Sequence, residues 1–169
     1  GGIVASTSVK CAGDRLDRAI IDHVKKQHNL AIGEKTAETL KIKIGSAVLM
    51  NEELTMPVKG RDLVSGLPRT VDIRTNDLVQ AMARELREMT QAIRKVLQDT
   101  PPELAADIID NGIILTGGSS QLRQMPELVY RRTGVVAKLG ADPYFCVARG
   151  TGVALKHLDT YQKSILAKQ

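Results

Sequence analysis

The sequence predicts a mixed α/β fold, and three observations carry that reading. Residues 112–116, Gly-Ile-Ile-Leu-Thr, form a continuous apolar run of the kind found in strands buried on both faces. Leu78, Met82, Leu86, Met89, Ile93 and Val96 keep three- and four-residue spacing over a stretch too long for a strand, which marks a one-faced helix. Gly and Pro punctuation separates helix-period from strand-period segments along the chain.

Residues 3–10 are rich in β-branched side chains with partial alternation and predict a strand, ended by Gly13. Gly1-Gly2 resembles a pair joining two strands, and with no Met beside it we expect a piece cut within a hairpin. Asp14 is placed to cap the next helix, with Asp17 in a first turn favoured by the helix dipole. Leu16, Ile20 and Val24 mark the buried face of that helix, which fades near Asn29. A second helix is predicted over 34–44, opened by Gly33, closed by Gly45-Ser46, with Leu40 and Ile44 on one side. Strands are predicted over 54–59 and 69–74, joined by a loop carrying Gly60, Gly66 and Pro68.

Thr75 or Asn76 is placed to cap the longest helix, 77–98. Thr100-Pro101-Pro102-Glu103 reads as another helix start, with Thr100 as cap, Pro at the first helical position and Glu103 closing a capping box. That helix is short and ends by Ile109. After the 112–116 strand, Gly117-Gly118-Ser119-Ser120 turns into a helix reaching Arg132, and a short strand is predicted over 135–139. Asp142-Pro143 starts a final helix, broken or tightened near Gly150 and Gly152, with a lysine-bearing tail beyond Asp159 that begins helical and frays. Residues 14–75 form a candidate separate lobe.

The 169 residues suffice for one domain or two small lobes. Aromatics are 2%, with no Trp and one Phe, so the core is aliphatic and nucleic-acid recognition by base stacking has few faces to use. The net charge of +5 comes from mixed Lys, Arg, Asp and Glu without a long like-charge run, which fits a solvated surface rather than a nucleic-acid or lipid patch. Cys11 and Cys146 stand far apart, outside any C-x-x-C pair, and no Cys/His cluster has metal-ligand spacing. They read as reduced cysteines of a cytosolic protein. No apolar stretch reaches bilayer-spanning length, and the start is not a signal peptide.

Two features point to a ligand. The strand, Gly117-Gly118-Ser119-Ser120 and helix unit lets a ligand approach the backbone and offers unpaired N–H donors; a tight strand-to-helix turn without a ligand accounts for it equally. It lacks the spacing of the dinucleotide fingerprint and the lysine of the P-loop. Glu38 and Lys41 lie three apart on one helix face. They form either a surface ion pair or a site in which Glu38 accepts a ribose hydroxyl and the Lys41 stem lies along a purine. Asp14 and Asp17 as a metal or acid–base pair is weaker than helix capping. Met82 and Met89 belong to the buried stripe.

Several segments together resemble the MreB-type bacterial actins. They are Ala12-Gly13-Asp14-Arg15-Leu16-Asp17, the run from Ile32 to Glu38, Val58-Lys59-Gly60-Arg61-Asp62-Leu63 continuing to Gly66-Leu67-Pro68-Arg69-Thr70, the run Thr100-Pro101-Pro102-Glu103-Leu104-Ala105-Ala106-Asp107-Ile108, and Gly112 to Gly118. They occur in the family's order and cover nearly the whole chain, as a carboxy-terminal half. The resemblance implies an actin-like second domain with an incomplete mixed sheet. Residues 1–13 and 76–169 would form the larger sub-lobe, and 14–75 a smaller inserted α+β sub-lobe.

The resemblance further implies that Glu38, Thr39, Leu40 and Lys41 flank the ribose and base of ATP or ADP, with Gly117, Gly118, Ser119 and Ser120 on the base and α-phosphate side. Ser119 stands where a third glycine is frequent in the family, and it needs a backbone angle a serine can adopt. The family's phosphate loops and its water-positioning residue match nothing here, so this chain by itself is expected to hydrolyse no ATP and to bind nucleotide weakly or not at all, without Mg2+ ligands or catalytic residues of its own. Implied for the intact protein are a polymerisation-coupled ATPase, self-association into protofilaments, a RodZ-like membrane partner on the larger sub-lobe, cell-wall elongation proteins, and a cytoplasmic place at the inner face of the membrane. No nucleic acid and no membrane insertion by this half are expected. An actin-fold adaptor without ATPase activity, of the division or pilus type, is the competing reading.

Overall fold

The computed structural model describes residues 2–158. Helix α1 (Gly13–His28) ends at Asn29, which takes a left-handed φ of 50°. A two-residue strand β1 (Leu30–Ala31) precedes α2 (Glu34–Ile44), and a hairpin of β2 (Thr55–Asp62) and β3 (Pro68–Arg74) follows. These strands form an antiparallel sheet in the order β1-β2-β3, with Leu30 opposite Asp62 and Val58 opposite Val71. Next come α3 (Thr75–Gln98), α4 (Pro102–Asn111), β4 (Ile113–Leu115), α5 (Met125–Thr133), β5 (Ala137–Leu139) and α6 (Cys146–Lys156). Strands β4 and β5 pair in parallel, Ile114 opposite Lys138.

One aliphatic core joins these layers. Leu16, Ile20 and Val24 of α1 pack with Leu40 and Ile44 of α2, Ile73 of β3, Leu78, Met82 and Leu86 of α3, and Leu128 of α5, all buried. The spacing read from the sequence fills the core along α1 and the first half of α3, while Met89, Ile93 and Val96 of the predicted stripe are only half-buried; full burial of each core side chain contributes about 1.5–3 kcal/mol. Helix α2 matches its predicted bounds because Gly33 and Gly45 flank it in extended conformations.

Several expectations are corrected. Residues 3–10 form no strand: a strand exists only when its backbone is paired, and no partner runs alongside among the described residues. Ala12, not Asp14, holds the cap position of α1, and Asp14 lies within the first turn. The long helix begins at Thr75, capped at Arg74, whose N–H donates to the Asp77 carboxylate at 3.0 Å. Thr100 does not cap α4. Its hydroxyl donates back to the Val96 carbonyl at 2.7 Å, and Pro101 takes the cap position.

The Gly-Gly turn runs into a 3₁₀ turn (Gly118–Gln121) rather than a long helix, because Gln124 is left-handed and Pro126 lacks the N–H that a helix interior requires. Strand β5 is shorter than 135–139. The final helix starts at Cys146, since Asp142 has a φ of 48°, and it runs unbroken through Gly150 and Gly152. The predicted tail beyond Asp159 lies outside the described residues. No helix among the described residues is long and apolar enough to cross a membrane.

Asp62 organises the β2–β3 turn. Its carboxylate accepts from the Ser65 N–H at 2.8 Å, the Arg69 guanidinium at 2.8 Å and the Val64 N–H at 2.9 Å. These donors hold its carboxyl well below the usual carboxylate range, led by the Ser65 N–H. His23 is likewise shifted down, by burial. Both folded-state values are depressed, so each group contributes stability above its unfolded value that is lost as pH falls. Chemical denaturation as a function of pH is expected to show a first decline below about 6.5 from His23 and a second below about 4 from Asp62. The second decline should be smaller in Asp62→Asn.

Candidate functional site

The site is built where the start of α1 meets α2 and the turn after β4. Asp17, one turn into α1, is buried, and the Lys41 ammonium reaches across from α2 to contact both of its carboxylate oxygens at 2.8 Å. The same ammonium lies 3.4 Å from the Gly13 carbonyl oxygen. Lys41 therefore pairs with Asp17 and not with Glu38, which corrects the ion pair considered from their spacing. The physical reason is solvation: Asp17 is removed from water and needs a counter-charge, whereas Glu38 is exposed and remains hydrated. Asp17 is thus an interhelical anchor, not a first-turn dipole residue.

On the opposite side, Gly117 has φ 87° and ψ 166°, a conformation essentially confined to glycine. Its N–H donates to the Pro143 carbonyl at 2.7 Å, and its own carbonyl accepts from the buried Ser120 hydroxyl at 2.7 Å. Ser119 does not adopt a positive φ, so a serine fits where the family often has glycine. The Ala47 N–H donates to the Arg123 carbonyl at 2.8 Å and ties the segment after α2 to the segment after the Gly-Gly turn.

Between the walls lies a cleft of about 460 Å³ onto which Glu38, Lys41, Gly118 and Ser119 open together with Asp14, Ile42 and Tyr144. The walls meet at Gly13, where an added methyl group would stand 3.4 Å from Lys41 Nζ and 3.8 Å from Ser119 Oγ. Four of the eight predicted residues line this cleft. The others do not: Leu40 is fully buried in the core, the Thr39 hydroxyl donates to the Lys35 carbonyl at 2.7 Å, and Gly117 and Ser120 face a recess behind the turn beside Cys11 and Met89. Sequence reasoning missed Gly13, Ile42 and Tyr144. Only the opening Gly13-Asp14 motif carried a signal, while Tyr144 arrives through a loop remote in sequence. Chemically, the cleft offers a hydrated carboxylate to accept hydroxyl donors, a neutralised cation whose methylene stem is apolar, and an aromatic ring beside a bare glycine.

The sequence pattern described as MreB/Mbl protein matches residues 1–163. The chain is 40% identical over 167 residues to the cell shape-determining protein Mbl of Bacillus subtilis, covering 99% of this chain and 50% of that protein. It is 39% identical over 168 residues to the cell shape-determining protein MreB of Escherichia coli, covering 99% of this chain and 48% of that one. The chain thus spans about half the length of the curated relatives it matches. MreB5 of Spiroplasma citri superposes with a TM-score of 0.88 in its ADP-bound structure and 0.89 in its AMPPNP-bound one, at 36% and 35% identity, covering 98% of this chain and 49% and 50% of theirs. The MamK double helical filament superposes at a TM-score of 0.69 with 21% identity over 82% of this chain and 42% of that one, a likeness of fold alone. The actin-like fold expected from the sequence is therefore present, and the chain belongs to the MreB/Mbl family.

Proposed function

We propose that this chain is the adenosine-side, carboxy-terminal half of a nucleotide-binding, filament-forming cytoskeletal protein that directs cell shape and cell-wall synthesis. The observation that carries this reading is the convergence of Glu38 and Lys41 from α2 with Gly118 and Ser119 from the β4 turn on a single cleft. Its volume lies in the range of small-molecule sites. The donor set fits an adenine nucleotide. Glu38 accepts from the ribose hydroxyls. The Lys41 stem, its charge satisfied by Asp17, presents methylenes to the base. The Gly118 backbone lies on the base and α-phosphate side. Bound ATP supplies a phosphoanhydride whose hydrolysis, with Mg2+, belongs to the intact protein.

In this reading residues 1–13 and 76–169 form the larger sub-lobe and 14–75 the smaller, a division of topology rather than of core, since α1 packs on α3. The larger sub-lobe receives a RodZ-like membrane partner and cell-wall elongation proteins, and the intact protein lies at the inner face of the membrane. Calorimetric titration of the 169-residue chain with ADP should give saturable binding at millimolar concentration or weaker, as half a site allows. Micromolar binding, or Mg2+-dependent ATP hydrolysis by this chain alone, would show that the half-site reading is wrong. The intact protein should sediment as filaments with ATP, and failure to do so under any nucleotide condition argues against the cytoskeletal role.

A further inference from the structure

We propose that the β2–β3 turn and the adjoining end of α1 form a contact surface for an anionic lipid bilayer, an inference that rests on the reading of the intact protein at the inner face of a membrane. Along the chain the cations are interspersed with acids, yet the fold gathers several of them in one place. The Leu63 N–H donates to the Asn29 carbonyl at 2.8 Å, and the Arg69 guanidinium reaches the His28 carbonyl at 3.4 Å, so the lysine-bearing last turn of α1 stands beside the β2–β3 turn. Lys25, Lys26, Lys59, Arg61 and Arg69 are all exposed there. Within 25–29 and 59–71 the only carboxylate is Asp62, already engaged by Arg69 and by the Val64 and Ser65 N–H groups. This small surface, bordered in sequence by Asp22 and Asp72, therefore holds most of the chain's net charge of +5.

An apolar tip projects from the middle of these cations. Leu63, Val64 and Leu67 are 46%, 84% and 65% exposed at the end of the hairpin. The turn that carries them is closed on itself. The Asp62 N–H donates to the Leu67 carbonyl and the Gly66 N–H to the Asp62 carbonyl, both at 2.9 Å. The Asp62 carboxylate takes the Val64 and Ser65 N–H groups, and the Ser65 hydroxyl accepts from the Leu67 N–H at 3.4 Å. With the Leu63 N–H on Asn29, every N–H from 62 to 67 has an acceptor. Such a backbone enters a layer of low polarity without stranding a donor. Aliphatic side chains on a protruding tip, ringed by long cations whose stems are themselves apolar, match the apolar boundary beneath a layer of phosphates. A folded protein partner would instead draw on hydrogen-bonding groups, and this turn has no backbone donor left to give. The contact is confined to the headgroups and that boundary, and no segment crosses the bilayer.

The 169-residue chain should co-sediment with vesicles of mixed phosphatidylglycerol and phosphatidylcholine and not with phosphatidylcholine alone, and less so as salt is raised. The chain has no Trp, so Val64→Trp supplies a single reporter at an exposed position. Its emission should shift to the blue on the anionic vesicles, whereas that of Ile109→Trp, exposed on α4, should not. Lys25→Gln, Lys26→Gln and Lys59→Gln combined, at side chains that make no ion pair among the described residues, should weaken vesicle binding about tenfold or more and leave thermal unfolding unchanged. No binding to the anionic vesicles overturns the contact, and so does binding that leaves the Val64→Trp emission unmoved. A shift that appears with rising protein concentration and no vesicles assigns the tip to a second copy of the chain and equally overturns it. The membrane-face reading stands apart from these outcomes and fails only if the intact protein is found away from the membrane in cells.

Discussion

Asp17→Ala should destabilise the fold by about 2–3 kcal/mol, because it strands the Lys41 ammonium at a position that is only 15% exposed. Both carboxylate oxygens lie 2.8 Å from that ammonium, and no other acidic side chain reaches it among the described residues. The value falls below the full cost of an orphaned interior charge because the lysine stem can swing toward the cleft and recover water. The pair as a whole is a different matter. Desolvating two ions offsets most of their attraction, so Asp17→Leu combined with Lys41→Met is expected to lie within about 1 kcal/mol of wild type. Urea denaturation of Asp17→Leu, Lys41→Met and the double variant closes the cycle. If the double variant loses as much as the sum of the singles, the pair is not acting as a unit and this account fails.

Gly112→Ala is expected to cost more, about 3 kcal/mol or above. Gly112 has φ 80° and ψ −170°, a region that side-chain-bearing residues enter only with strain. A methyl group there would also stand 2.6 Å from the Val136 carbonyl oxygen, which accepts the Ile113 N–H at 2.8 Å at the start of the β4–β5 pairing. Strain and overlap therefore act together, and relief of the overlap breaks the first ladder bond. Gly117 is the control. It occupies the same backbone region, but nothing lies within 4 Å of an added methyl, so Gly117→Ala should cost only the strain, about 1–3 kcal/mol. Thermal unfolding of the two variants ranks them, and an equal loss in both would remove the overlap from the explanation.

The parts of the fold legible in the sequence are those fixed locally. Helix α2 is bracketed by Gly33 and Gly45 and helix α3 by its long stripe from Leu78; the β2–β3 hairpin was legible as a loop-joined pair of strands, but Gly60 and Pro68, read as loop, lie within β2 and β3, where Gly60 pairs with Arg69 and Pro68 with Arg61. What was not legible depends on partners. Residues 3–10 have strand composition but no paired neighbour among the described residues, and composition cannot supply one. Lys41 sits three residues from Glu38, yet burial of Asp17 on another helix decides its pairing, which no helical spacing reveals. The Gly-Gly turn was visible as a turn. Its 3₁₀ continuation was set by Gln124 and Pro126 further along. Of the cleft, the sequence showed Glu38, Lys41, Gly118 and Ser119 but not Tyr144, because the bond from Gly117 to Pro143 joins segments that read as unrelated.

That bond also bears on the order in which the chain folds. Helix α2 and the β2–β3 hairpin rest on contacts between near neighbours and are suited to early formation. The cleft draws on Gly13, on Glu38 and Lys41, on Gly118 and on Tyr144, so its loops close only after most of the chain has been arranged. Its assembly is therefore a late event, and the rate at which the Gly117 amide becomes protected from hydrogen exchange during refolding would time the completion of the cleft rather than the collapse of the core.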